Sequence, residues 1–263
     1  ICQVKKDAHI DLRLNTTATP ELLDSLGVDT VVLAAGGSPF IPPVPGADRP
    51  NVFHAVDAYG KEDQLGDHVV VVGGGNVAMD VTRSSIRLGA EKVTCVYRRR
   101  VEDMTALPDE VQGAMAEGAE ILSLAAPVRI EADEDGVARA LYVQPQIIGE
   151  ADKAGRPRPG RANLPELRLE ADIIVVAIGQ GVEIQGFEEA GVPIKRGAFV
   201  AGLSGQVGSM DDLFAGGDCV TGPATAIRAI AAGKVAAANI DEHLGFHHEI
   251  RVQARHRKRQ MAK

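Results

Sequence analysis

Valine fills positions 69 to 72 without a polar interruption, and an apolar run with no alternation predicts a strand buried on both faces, as in a parallel sheet covered on each side. Val93 to Tyr97 and Asp172 to Gly179 repeat the pattern, the latter ending on glycine. Between the first two, apolar residues recur at helical spacing from Asn76 to about Leu88, and Gly89 stops the helix. Further helices are expected near Ala55 to Tyr59 and from Pro108 to Glu117, and further strands at Ala119 to Leu124, Val137 to Gln144 and Leu164 to Leu169. Upstream, Ile10 to Leu14 alternate as a strand does, Pro20 to Leu26 form a helical turn closed by Gly27, and Thr30 to Ala34 read as a strand. Downstream, Phe199-Val200 and Asp212 to Ala215 are strand-like. A helix rich in small residues then runs from Pro223 to about Leu244, with Pro223 suited to its first position. Its alanines predict close packing against a sheet or a ligand.

Breaks in the pattern divide the chain. Ile41-Pro42-Pro43-Val44-Pro45-Gly46 is too rich in proline for a central strand and is expected to be a domain crossing. Gly149 to Arg161 reads as a hairpin tip with solvent-facing basic residues. The expected organisation is a first portion over 1–50, an inserted unit over 51–178, a return to the first domain over 179–246, and a disordered basic tail over 247–263. The chain begins at Ile1 in what reads as the middle of a domain, so a fragment of a longer protein is expected.

The chemistry concentrates after the first valine strand. Gly73-Gly74-Gly75-Asn76-Val77-Ala78 is the glycine turn of a Rossmann unit. Its first glycine makes the bend, the glycine two on lets the backbone approach a pyrophosphate, and the small Ala78 permits close helix packing. The anion would rest on the helix N-terminus. About twenty residues past this turn, where an NAD site places Asp or Glu against the ribose 2′-hydroxyl, stand Arg98 and Arg99. A carboxylate there repels a 2′-phosphate, whereas guanidinium groups grip it through charge-assisted bonds, so NADP(H) is expected over NAD(H).

Composition narrows the partners. The 263 residues are 45% hydrophobic and 24% charged, a globular make-up, and the net charge is −8. Outside Arg251 to Lys263 the chain holds 22 basic against 36 acidic residues, which argues against a nucleic-acid partner, as do the absence of Trp and the few Tyr and Phe. Cys2, Cys95 and Cys219 are too far apart for a CxxC dithiol or thiolate metal site and read as small buried residues. No secretory leader or apolar run of membrane-spanning length is present, so a cytoplasmic protein with no membrane partner is expected. His247 and His248 lack thiol companions and belong to the tail, His9, His54 and His68 read as surface or capping residues, and Glu102-Asp103 as a cap for the next segment.

Two further motifs flank the inserted unit, Ala34-Ala35-Gly36-Gly37-Ser38-Pro39 and Leu213-Phe214-Ala215-Gly216-Gly217-Asp218. With the glycine turn they resemble the two-dinucleotide-domain flavoprotein reductases. The resemblance implies an α/β fold in which a Rossmann-like NAD(P)H-binding domain is inserted into an incomplete FAD-binding domain, the glutathione-reductase-like arrangement. The Gly73 to Asp80 turn, Val96-Tyr97-Arg98-Arg99 and Pro108-Asp109-Glu110 resemble the branch containing the NADPH-dependent glutamate synthase small subunit and the flavin half of dihydropyrimidine dehydrogenase. FAD and NADP(H) are the cofactors this implies, with Gly36, Gly179, Gly217, Asp218 and Thr225 on the flavin side and Asp218 accepting from the ribityl chain. Hydride passes from NADPH to FAD and onward to an iron-sulfur or second flavin site in a partner domain or subunit. The cofactors supply the reaction, so no catalytic side chain is named.

The match has gaps. No flavin pyrophosphate turn precedes Ala34, and the branch's upstream iron-sulfur cysteines are absent, so the rest of the FAD domain is itself an expected partner. Leu14-Asn15-Thr16 with Thr19 to Leu23 equally resembles the flavin-nucleotide end of enoate and dienoyl-CoA reductases. By itself the chain could also be a non-catalytic NADP(H)-binding module, or a structural subunit that keeps the fold without the site.

Overall fold

In a computed structural model, residues 4–40, 42–58, 66–151 and 157–250 are described. The basic tail beyond Ile250, the Tyr59 end of the expected Ala55 helix and residues 152–156 of the expected Gly149–Arg161 tip lie outside them. Two units emerge, one continuous over 39–180 and one assembled from 1–38 and 181–263. Residues 39–50, placed with the first portion on sequence, go with the continuous unit. There the Ile130 amide donates to the Pro45 carbonyl at 2.9 Å.

Of the opening elements, the expected strand at Ile10–Leu14 does not form. A strand needs a neighbour for its backbone groups, and none pairs with it among the described residues. Ile10, Leu12 and Leu14 are exposed. Helix α1 (Pro20–Leu26) follows an N-cap at Thr19, whose side chain accepts from Leu22 N, and Gly27 ends it in the left-handed region. Strand β1 (Val31–Leu33) leads into the crossing strand β2 (Ser38–Pro39).

The continuous unit contains β3 (Val52–His54), α2 (Ala55–Ala58), β4 (His68–Val72), α3 (Asn76–Arg87), β5 (Lys92–Val96), α4 (Pro108–Ala116) and β6 (Glu120–Leu122). An antiparallel group follows: β7 (Ala125–Ala132), β8 (Ala138–Ala151), β9 (Pro157–Arg161) and β10 (Leu167–Glu170). Strand β11 (Ile173–Val176) then returns to complete a five-stranded parallel sheet of order β3-β11-β4-β5-β6. The unbroken valines are explained by two cores. Val69, Val71, Val93 and Val175 pack on Met79 and Val81 of α3 and on Val111 and Ala114 of α4. Val70, Val72, Val96 and Ile174 pack on Leu141 and Val143 of β8. Each such side chain contributes about 1.5–3 kcal/mol by leaving water.

Strand β8 runs seven residues beyond the expected Gln144 end, because Gln146, Ile147 and Ile148 pair with Arg161, Gly160 and Pro159 of β9. Both described ends of the stretch expected as a hairpin tip, 149–151 and 157–161, are thus strand. Proline is tolerated there because β9 pairs on one side only.

The chain re-enters the first unit through β12 (Gln180–Gly181), which pairs with β2. After the β13 (Ile194–Lys195) and β14 (Ala198–Phe199) hairpin come β15 (Gln206–Val207), β16 (Met210–Ala215), α5 (Asp218–Thr221) and α6 (Ala226–His243). β1 lies parallel to β16 and β15 antiparallel to it. Leu33, Phe199, Val207 and Ala215 form this unit's core. Two expectations fail at α6. Its first residue is Ala226 after Thr225, and Pro223 stays in the preceding turn, where the Asp218 carboxylate accepts from Ala224 N at 3.2 Å. The helix is also not packed all along its length: Ala236 is its one buried residue, and Ile227 is 78% exposed.

Candidate nucleotide site

The glycine turn sits where β4 gives way to α3, at the carboxyl end of the parallel sheet between β11 and β5. Gly73 has φ +154°, and a Cβ on it would lie 2.4 Å from the Ala177 carbonyl. A Cβ on Gly74 would lie 2.5 Å from the Tyr97 ring. Gly75 takes the N-cap position with no side chain across the helix end, so the first-turn amides of Asn76, Val77 and Ala78 have no intrahelical acceptor. Ala78 is fully buried against the sheet, while Asn76 and Val77 are exposed. A bare backbone bend below a twelve-residue helix of this kind could hold a pyrophosphate bridge.

The segment after β5 folds back onto that turn. The amides of Thr105 and Ala106 donate to the Gly74 carbonyl at 2.9 and 3.0 Å. The Leu107 amide donates to Asn76 Oδ1 at 2.8 Å, and the Tyr97 hydroxyl to the Asp103 carbonyl at 2.8 Å. No motif in the chain marks the Asn76 side chain as a partner for this loop. Of the three arginines, Arg100 is taken by Asp103 in a two-pronged pair, with Nε and Nη2 at 2.8 and 2.9 Å. That pair holds the Asp103 carboxyl below its ordinary range. It also corrects the expectation that Asp103 caps the next segment. Arg98 is exposed and has no ion-pair partner among the described residues. Arg99 is half-buried, and its Nη1 donates to the Pro157 carbonyl at 3.2 Å.

On the first unit, β1 and β16 run parallel with Leu33 opposite Ala215, so Gly36 and Gly217-Asp218 emerge at the same end of one sheet. The Gly216 amide donates to the Leu33 carbonyl at 3.2 Å, and the buried Cys219 thiol donates to the same oxygen at 3.3 Å. Gly36 and Gly217 both have positive φ, +68° and +79°. Asp218 uses Oδ1 to close its own turn on Ala224 N, and Thr225 precedes α6 without a side-chain capping bond. A carboxylate and an uncapped helix start thus stand beside a bare bend, a combination that could hold one end of a dinucleotide. Gly179, with φ +110°, belongs to the other unit, where its carbonyl accepts from Phe40 N.

Cys95 is buried beneath the glycine turn, and burial pushes its thiol up to about 12. His54 is less exposed than expected, with Nδ1 buried and unpartnered. Among the described residues no cluster of His, Cys, Asp and Glu could hold a metal ion, and no helix is long and apolar enough to cross a membrane.

Residues 5–233 match the family model described as "pyridine nucleotide-disulphide oxidoreductase". The beta subunit of an NADP(+)-dependent formate dehydrogenase from Moorella thermoacetica is 39% identical over 180 residues, covering 68% of this chain and 25% of that protein. The glutamate synthase [NADPH] small chain of Azospirillum brasilense is 36% identical over 201 residues, 74% of this chain and 41% of that one. Among solved structures, Mycobacterium tuberculosis FprA in complex with NADPH aligns with a TM-score of 0.63 at 20% identity, over 87% of this chain and 66% of that one. Lactococcus lactis thioredoxin reductase aligns with a TM-score of 0.66 at 18% identity, over 82% of this chain and 66% of that one. The chain spans from about a sixth to about half the length of the curated relatives it matches. It belongs to this family of FAD- and NAD(P)-binding oxidoreductases and has their α/β fold.

Proposed function

We propose that this member of the pyridine nucleotide-disulphide oxidoreductase family is the NADPH-oxidising end of a cytoplasmic electron-transfer flavoprotein, passing reducing equivalents through FAD to an iron-sulfur or second flavin site on another domain or subunit. The observation that supports it best is the division of labour after β5. Asp103 is neutralised by Arg100, while Arg98 and Arg99 follow β5, the strand next to the one that ends in the glycine turn, which is where a dinucleotide fold places the adenosine ribose. The relatives named for NADPH, the glutamate synthase small chains, are in keeping with this choice.

The nicotinamide and the flavin supply the hydride chemistry. The protein's part is to bind and orient. The amides of Asn76 to Ala78 receive the pyrophosphate, Arg98 and Arg99 the 2′-phosphate, and Ala78 keeps α3 tight on the sheet so that the amides hold their direction. On the flavin side, Gly36 and Gly217 allow close approach, Asp218 presents the carboxylate oxygen its turn leaves over, and the start of α6 at Thr225 favours negative charge. Gly179 is assigned to the flavin side as well.

Loading the chain with FAD and following anaerobic bleaching with NADPH and with NADH tests the reading. Faster bleaching by NADPH is expected, and equal rates would reject the arginine argument. A second reading, a nucleotide-binding module that retains no flavin, is favoured by the exposure of Ile227 and Ile230 at the start of α6. Stoichiometric yellow flavin in the purified chain excludes it.

A further inference from the structure

Thr105, which no motif in the chain singles out, lies in the loop that folds back onto the glycine turn. That loop is pinned just beyond it: Ala106 is buried in the core that contains Met79 and Val111, and the Leu107 amide donates to Asn76 Oδ1 at 2.8 Å. The Gly74 carbonyl accepts from the Thr105 and Ala106 amides at 2.9 and 3.0 Å. A carbonyl oxygen has two lone pairs, and these two amides occupy both. The Thr105 hydroxyl stands 3.4 Å from the same oxygen, at the long limit of a hydrogen bond, and makes no other among the described residues. Its proton is therefore a surplus donor. Its position is equally particular. A Cβ built on Gly75, the N-cap of α3, would lie 3.4 Å from Thr105 Oγ1, and apart from the residues adjoining Gly75 no other atom comes within 4 Å of that point among the described residues. Thr105 is exposed, so the hydroxyl is brought to the open start of the helix by a segment outside the turn itself.

We propose that Thr105 is a further binding residue of the nucleotide site, its hydroxyl donating to a phosphate oxygen of the dinucleotide's diphosphate bridge beside the first-turn amides of α3. This rests on the nucleotide reading above and adds a contact from the loop between β5 and α4. The chemistry suits the arrangement. A diphosphate carries several non-bridging oxygens, so the amides of Asn76 to Ala78 and a hydroxyl from a separate segment bond to different ones. On binding, the hydroxyl exchanges a long contact with an already saturated carbonyl for a charge-assisted bond to an anion. The Thr105 backbone is held by Gly74 before the ligand arrives, which lowers the ordering cost of that exchange. Because NADP(H) and NAD(H) share the diphosphate, the contact raises affinity for both and leaves the preference between them to other residues.

Calorimetric titration of the full chain with NADP+, NAD+ and ADP-ribose, all of which carry the diphosphate, tests the proposal. Thr105→Val removes the hydroxyl and keeps the branched shape and the backbone bonds of the loop. It is expected to weaken all three ligands by about tenfold and to the same extent, with the thermal midpoint unchanged. Thr105→Ser, which restores the hydroxyl, is expected to recover most of the affinity. Unchanged affinity in Thr105→Val, a loss confined to NADP+, or a Thr105→Ser variant as weak as Thr105→Val overturns it. Two failures are told apart by the unsubstituted chain. If it binds all three ligands and Thr105→Val binds them equally well, the nucleotide reading stands and only the role of Thr105 is rejected. If it binds none of them, both fall.

Discussion

Asn76 Oδ1 accepts the Leu107 amide at 2.8 Å, so the first residue of α3 anchors the loop that folds back onto its own glycine turn. The bond joins two segments 31 positions apart and leaves the Asn76 amide free for a phosphate oxygen. Asn76→Ala should loosen the loop without touching either arginine. The expected result is a similar weakening of NADP+ and NAD+, on the order of two- to tenfold for one lost hydrogen bond. A loss confined to NADP+ would contradict the anchoring role, and parallel titrations with the two dinucleotides decide it.

Gly74 faces the Tyr97 ring so closely that an added methyl would lie 2.5 Å from it. Tyr97 cannot simply swing away, because its hydroxyl donates to the Asp103 carbonyl and its amide to the Leu122 carbonyl. Gly74→Ala should therefore displace the ring and, with it, the segment carrying Arg98 and Arg99. A lower thermal midpoint together with reduced NADP+ affinity is expected, and the double variant Gly74→Ala/Tyr97→Ala should recover part of the stability by removing the clash. No recovery would locate the damage elsewhere in the turn.

The three consecutive arginines should not be equivalent. Arg98→Ala and Arg99→Ala are expected to weaken NADP+ binding by about ten- to a hundredfold, with NAD+ little affected, as for loss of a charge-assisted contact. Arg100→Ala should instead act through Asp103, leaving that carboxylate free beside the ribose position, and so should narrow the preference for NADP+ over NAD+. Steady-state fluorescence titration of the three variants with both dinucleotides checks the order. An Arg100→Ala variant with wild-type preference would mean that Asp103 has no influence there.

The valine runs and the glycine turn were legible because each is local: four valines need two dry faces whatever lies beyond them, and the bend needs glycine at Gly73 for its own backbone. The arginines were legible as a group but not individually, since the Arg100–Asp103 pair depends on a turn of 3₁₀ helix at Val101–Asp103 that no periodicity announces. The hairpin from Ala138 to Arg161 was legible only in its first half. Pro157 and Pro159 look like loop residues and become strand only because Ala151 and Ile148 supply one pairing edge. For α6, alanine content predicted contact, but burial is decided by which neighbours are present, and composition does not hold that information.

The helices α3 and α4 are joined by charge. Glu117 accepts from Arg83 and Arg87 at 2.6 to 2.9 Å, and Arg83 also reaches Glu110. The two guanidinium groups, Arg87 first and Arg83 second, hold the Glu117 carboxyl down to about 2 from its ordinary 4.5. The unfolded chain takes up that proton near 4.5 and the folded chain only near 2, so the contribution to stability is complete at neutral pH and is lost as pH falls through that interval. Glu117→Gln should accordingly lie below the unsubstituted chain in thermal midpoint at pH 7, with the gap narrowing from about pH 4.5 downwards. A gap that stays constant to pH 3 would show that the ion pairs contribute nothing. Calorimetric scans of both chains across this range provide the comparison.

Cys95 links the sheet to the nucleotide turn, since its thiol donates to the Gly73 carbonyl at 3.3 Å from a fully buried position in β5. Burial pushes the thiol up to about 12, so at pH 8 it is almost wholly protonated as well as shielded, and a thiolate-seeking alkylating agent has no reactive form to meet. Labelling should then wait for β5 to open, and its rate should follow the population of the opened unit rather than the reagent's intrinsic reactivity. If NADP+ binds only the closed unit, adding it at about 100 times its Kd lowers the opened population by roughly a hundredfold, and labelling of Cys95 should slow by the same factor. Mass-spectrometric mapping after timed alkylation measures this site by site. Rapid labelling without ligand would contradict the burial of the thiol, and labelling that NADP+ does not slow would separate Cys95 from the turn it is bonded to.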